Sequence, residues 1–238
     1  VNCYFTAWRS YALSINNGVT TSFSNTFSST NPIGIYNNKS VGNFVNDIYY
    51  EENYAEGNTF FTQTESECKD TELDTTWLNI TDKIPKTADN IVYAHAHGIT
   101  PENENLTKDL QYLINKIYAS GGGIVFLDEG IYKLQSQIIL KKGVRLCGLS
   151  PEKTVITADY GTGDSIIIAD DGSSIFDISI IYNSLPSFSD EEVPTGFVIS
   201  TYPKTKNLYI ENVNLGAAPN GILLDNASDV TIKKVHGT

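Results

Sequence analysis

Residues 92–148 read VYAHAHGITPENENLTKDLQYLINKIYASGGGIVFLDEGIYKLQSQIILKKGVRLCG, and this stretch decides the fold. Leu106, Leu110, Leu113, Ile114 and Ile117 recur at spacings of three and four, the repeat of one apolar stripe on an α-helix. Asn103, Asn105 and Thr107 are candidate N-caps, with Glu104 and Asp109 at the positive end of the helix dipole. Gly121, Gly122 and Gly123 then end the helix. Four short β-branched runs follow at residues 124–127, 131–134, 138–140 and 144–147, separated by polar and glycine-containing turns. A helix with a single apolar stripe, placed before a series of short strands, suits a lid over the open end of a solenoid. Such an end would otherwise expose unpaired backbone and core.

The rest of the chain carries the same pattern. Residues 173–178, 208–213 and 230–235 can be laid over one another, with Ile175, Ile210 and Ile232 in equivalent places. The longer of these two steps holds an acidic insertion at residues 185–194 (LPSFSDEEVP). A second strand per repeat is expected at residues 165–168, 196–199 and 221–224. A rung of about 20–25 residues lies within the range of solenoid repeats. In that alignment Asp177, Asn212 and Lys234 fall one above the other, about one strand spacing (~4.8 Å) apart, as a polar stack rather than a carboxylate pair.

These residues resemble the start of the pectate-lyase-like right-handed β-helix superfamily, of the phage tailspike or tail-appendage type. The resemblance rests on Leu110 and Gln111, Ile114, the glycines at 121–123, Val125, Leu127, Gly130, Tyr132, Leu134, Ile139, Val144, Leu146 and Gly148. It implies a mainly β fold: a right-handed parallel β-helix with an N-terminal capping helix at about residues 105–119, preceded by a small β-rich module. The expected division is an attachment or assembly module at 1–88 and the start of the β-helix at 89–238, with the boundary near 85–91.

Charge narrows the function. Residues 1–46 hold Arg9 and Lys39, no acidic residue, and 21 Ser, Thr or Asn among interspersed aromatics. Residues 47–110 carry 14 acidic and 4 basic side chains, and the chain as a whole is at −12. An acidic surface disfavours nucleic acid and anionic membranes, and no run of about 18 apolar residues marks a membrane span. Cys3, Cys68 and Cys147 are too few and too scattered for a disulfide framework. Cys147 falls on a core strand, where a thiol serves as a small hydrophobe.

Candidate chemistry is sparse. The polygalacturonase-type glycosidases of this superfamily carry Asn-Thr-Asp, Asp-Asp, Gly-His-Gly and Arg-Ile-Lys motifs. Here only Asp170-Asp171 and His236-Gly237 occur, in the wrong context, so the catalytic residues are unknown. Asp170-Asp171, Asp225 and Asp229 read as turn residues. His95 and His97 put two imidazoles on one side of a strand, but two loop histidines are the simpler reading. No metal and no cofactor are assigned. The leading expectation is a bacteriophage tail protein, a receptor-binding tailspike or tail-appendage subunit of the virion. It would bind a host cell-surface polysaccharide, with or without depolymerising it, as a homotrimer joined to other tail proteins. The alternatives are a secreted bacterial polysaccharide lyase or glycoside hydrolase, and a non-catalytic structural or adhesive β-helix.

Overall fold

The computed structural model describes residues 3–6, 13–16, 19–23, 25–28, 33–38, 41–45, 48–49, 54–57, 60–63, 90–103, 106–159, 165–184, 196–217 and 220–237. Nine strands come first: β1 (Tyr4–Thr6), β2 (Leu13–Asn16), β3 (Val19–Phe23), β4 (Thr26–Ser28), β5 (Ile33–Asn38), β6 (Val41–Val45), β7 (Ile48–Tyr49), β8 (Tyr54–Gly57) and β9 (Phe60–Gln63). Then follow β10 (Ile91–Tyr93), a 3-10 turn at Ala94–His97 and the helix α1 (Leu106–Ala119). The strands after it are β11 (Gly123–Phe126), β12 (Gly130–Leu134), β13 (Ile138–Leu140), β14 (Val144–Cys147), β15 (Thr154–Ala158) and β16 (Ser165–Ala169). The last are β17 (Ser174–Tyr182), β18 (Phe197–Thr201), β19 (Tyr209–Gly216), β20 (Asn220–Asp225) and β21 (Thr231–Gly237).

The fold is mainly β, and every strand pairing between these elements is parallel. From β16 to β21 the chain alternates between two sheets. β17, β19 and β21 lie side by side in the first, and β16, β18 and β20 in the second. Parallel neighbours need such a crossover, because a tight hairpin only joins antiparallel strands. Each pass sets like residues against like. Ile175, Ile210 and Ile232 are in register in the first sheet, and Ile138, Ile167, Ile199 and Ile222 in the second. The side chains of Val125, Leu146, Ile175 and Ile210 from the first sheet and of Ile138, Ile167, Ile199 and Ile222 from the second are fully buried, whereas Ile232 is only partly so. Fully burying one such side chain is worth about 1.5–3 kcal/mol, so the stacked rows carry much of the stability.

The helix sits where its stripe predicts. Leu106, Leu110, Leu113, Ile114 and Ile117 are all buried. Gln111 does more than pack: its Oε1 accepts from the Ile139 N–H at 2.7 Å, and its Nε2 donates to the Ile139 carbonyl at 3.1 Å. Ile139 lies on β13, at the edge of the second sheet, so one side chain satisfies backbone that would otherwise be left open. Of the cap candidates, Asn103 instead closes the turn before the helix, accepting from the Thr100 N–H at 3.0 Å. Thr107 is within the helix, and its Oγ1 accepts from the Gln135 N–H at 2.7 Å. Asn105 lies outside the described residues. Gly122, at φ +100, is required after the helix because a Cβ there would stand 2.6 Å from the Gly143 carbonyl oxygen.

The first nine strands join the same architecture. β1 pairs with β21, Tyr4 opposite His236, and β2 pairs with β20, Leu13 opposite Ile222. β4 and β7 extend the first sheet, β5 and β8 extend the second, and β3, β6 and β9 form a third. The side chains of Phe5, Leu13 and Ile15 are buried in the common core. The boundary expected near 85–91 and the acidic insertion at 185–194 fall mostly or wholly outside the described residues.

Candidate functional site

The outer face of the first sheet carries the groups with chemistry. Strand alternation puts every second residue of β10, β11, β14, β17, β19 and β21 outward. Two rows result. One runs through Ile124, Arg145, Ser174, Tyr209 and Thr231, of which Ser174 and Tyr209 are buried, and the other through Tyr93, Phe126, Cys147, Phe176, Glu211 and Lys233. Five strand steps at ~4.8 Å make a strip about 24 Å long.

Aromatic rings pair along it. Tyr93 meets Phe126 edge-on with centroids 5.4 Å apart, and Phe176 lies 5.4 Å from Tyr209. Beside the second pair the Tyr209 hydroxyl donates to Glu211 Oε2 at 2.6 Å, and Lys233 Nζ stands 3.2 Å from Glu211 Oε1. Partial burial pushes the Glu211 carboxyl up, but the Tyr209 hydroxyl together with Lys233 and Lys234 outweighs it and holds the group below the usual carboxylate range. Because this folded pKa is depressed, Glu211 contributes stability that is present above the unfolded carboxylate pKa and lost as pH falls through the folded one. Glu211→Gln should therefore melt below the parent at pH 7, with the gap closing as the pH falls below the carboxylate range. An equal gap at both ends of a pH series of melting curves would contradict this.

The predicted polar stack is present at the edge of the strip. Asp177, Asn212 and Lys234 bend β17, β19 and β21 at the same level, with φ of 52, 54 and 51°. Asn212 Nδ2 donates to Asp177 Oδ1 at 2.6 Å. Asparagine and aspartate tolerate this left-handed backbone better than most residues, while the Lys234 conformation is less favourable. Cys147 corrects the expectation of a core thiol. It stands on the outer row between Phe126 and Phe176, partly buried. Burial and then the nearby Asp177 carboxylate push its pKa up to about 11, so the thiol is inert at neutral pH.

The other candidates lie elsewhere. Asp170 and Asp171 build a turn: Asp170 Oδ1 accepts from the Asp171 N–H at 2.7 Å, and Asp171 Oδ1 from the Lys206 N–H at 2.8 Å. The Asp225 N–H is held by Thr201 Oγ1 at 3.0 Å, and Asp229 takes a left-handed turn conformation at φ 55°. His236 sits on β21 opposite Tyr4 and Asn214. His95 and His97 are in the 3-10 turn rather than on a strand, because buried Ala94 anchors the turn and Gly98 closes it in the left-handed region. No group of three or more His, Cys, Asp or Glu among the described residues is placed to hold a metal. No described helix is long and apolar enough to cross a membrane.

Sequence reasoning missed the aromatic strip. Its only sequence signal is that Tyr93, Phe126, Phe176 and Tyr209 each stand one position from a core residue.

No family model matches the chain, and no curated protein does. Among solved structures it is similar to the A-module of the mannuronan C-5 epimerase AlgE4 of Azotobacter vinelandii. The identity is 17%, over 61% of this chain and 50% of that one, with a TM-score of 0.48. It is also similar to ORF18 of Geobacillus virus E2, at 20% identity over 94% of this chain and 49% of that one, with a TM-score of 0.40. The chain spans about half the length of either protein.

Proposed function

We propose that the chain is a right-handed parallel β-helix whose outer face binds a bacterial surface polysaccharide, and that it serves as a subunit of a bacteriophage tailspike or tail appendage. The observation that carries the binding is the strip just described. Rings stack on the apolar faces of sugars, and the Arg145, Glu211 and Lys233 heads between them suit hydroxyl groups. One strand step is comparable to one sugar residue, so successive rungs can meet successive sugars. The closed coil is supported by the alternation of the chain between two sheets whose inner rows share one core. The attachment role of residues 1–88 is supported by the scarcity of charge in their first half, since packed interfaces deplete charge.

The test is direct binding of the full chain to surface polysaccharides purified from a panel of bacterial strains. The variant Phe176→Ala should weaken binding by about fivefold, from the loss of about 1 kcal/mol for the ring. Equal binding by parent and variant would remove the strip from the mechanism. Light scattering on the full-length protein tests the assembly. A trimer supports the virion role, and a monomer that shortens the bound polysaccharide supports a secreted enzyme.

A further inference from the structure

The end of the strip nearest α1 differs from the rest. His95 Nδ1 stands 2.5 Å from Asp128 Oδ2, and the Tyr93 ring lies 5.7 Å from the imidazole. A contact this close to a carboxylate places the proton on Nδ1. That leaves Nε2 of the ring and Oδ1 of the carboxylate for a further partner. Neither has another partner among the described residues, and the side chains are 55% and 42% exposed.

Both members are held by backbone rather than by each other. His95 sits in the 3-10 turn, its carbonyl bonded by the Gly98 N–H at 3.0 Å. The Asp128 carbonyl accepts from Thr154 Oγ1 at 2.9 Å and from the Tyr132 hydroxyl at 3.4 Å. An ion pair this exposed adds little to stability, typically about 0–1 kcal/mol. Fold stability therefore gives little reason for so fixed an arrangement. Tyr93 is 48% exposed and packs edge-on against Phe126, which leaves part of its surface open beside these two atoms.

We infer that Tyr93, His95 and Asp128 form an end subsite for a neutral hexose. The sugar ring lies against Tyr93, and separate, non-adjacent hydroxyls hydrogen-bond to His95 Nε2 and Asp128 Oδ1. The ligand is neutral because a sugar carboxylate would face the Asp128 carboxylate. The inference rests on the polysaccharide reading of the strip and adds the place where the chain end is gripped.

The experiment titrates the full-length protein, the Tyr93→Ala and His95→Ala variants and the Phe176→Ala variant with neutral gluco-, manno- and galacto-oligosaccharides, as trisaccharides and hexasaccharides. Tyr93 and Phe176 are on the surface of the sheet and His95 is in the exposed 3-10 turn, and matched melting curves confirm that the variants fold. The subsite predicts that Tyr93→Ala and His95→Ala each weaken hexasaccharide binding by about tenfold and leave binding at Phe176 intact. Parent-like hexasaccharide binding by both variants, with a loss in Phe176→Ala, overturns the subsite and keeps the strip. If the parent binds none of these sugars but does bind bacterial polysaccharides, the neutral-hexose subsite is overturned alone. Binding to neither overturns both.

Discussion

Leu113→Asp is expected to unseat α1 and to lower the melting midpoint by roughly 10–20 °C. Leu113 is 2% exposed and lies in the row of five side chains that face the sheets. The substitution removes about 2 kcal/mol of apolar burial and forces a carboxylate either into the core or, with the whole helix, out into water. A total of about 4–5 kcal/mol is a reasonable size for such a change, and each kcal/mol moves the midpoint of a chain this long by about 2–4 °C. A second readout isolates the lid. The Ile139 N–H loses its Gln111 acceptor when the helix lifts, so its hydrogen exchange should accelerate far more than that of Ile199, deep in the second sheet. A soluble variant with the parent's melting curve and exchange pattern would show that the helix does not cover this end.

Ile15→Asp should release the first strands from the far side of the stack. Ile15 is 2% exposed and pairs with Leu224 on β20, with Leu13 beside it opposite Ile222. A buried aspartate at this point costs on the order of 4 kcal/mol, again by lost burial and desolvation. Once β1 and β2 leave, β20 and β21 present parallel edges together with Ile222, Leu224 and Val235. Unprotected parallel edges over apolar side chains recruit other chains. The expected result is rapid proteolysis within residues 1–63, concentration-dependent aggregation and retention of protection in residues 106–159. Protease resistance equal to the parent's across residues 1–63 would mean that the strands are not docked on this edge.

How far the sequence could be read depended on whether its signals repeat. The stripe of α1 is local, five apolar residues within three turns, and it placed the helix to within a residue or two. Ile175, Ile210 and Ile232 could be aligned because each pass of the chain returns the same residue type to the same environment. The stack of Asp177, Asn212 and Lys234 followed from that alignment. The place of residues 4–63 did not. The spacing from Leu13 to Ile35 and from Val19 to Val41 matches that from Ile210 to Ile232, so the same repeat runs through them. Nothing local says which edge they extend, because the pairing of Tyr4 with His236 joins residues near opposite ends of the sequence. The outer strip was hidden for another reason. Its residues are of mixed type, Tyr, Phe, Cys, Phe, Glu and Lys along one row, so no periodicity of composition reveals them. The histidine turn was read as the simpler of two alternatives: alternating Ala and His imitates a strand, but burial of Ala94 and the backbone freedom of Gly98 favour a tight turn.

The pairing of β1 with β21 also sets an order of events during synthesis. Tyr4 and Leu13 are made well before the strands they join, β21 and β20. These early strands can pair with one another, β1 with β4 and β2 with β5, but the edge that meets β20 and β21 stays open while about two hundred residues are added. A waiting segment of that kind must not collapse on itself or on its neighbours. The wealth of Ser, Thr and Asn in residues 1–46 gives it polar side chains that water satisfies, so its own composition acts as a holding device until the acceptor edge exists.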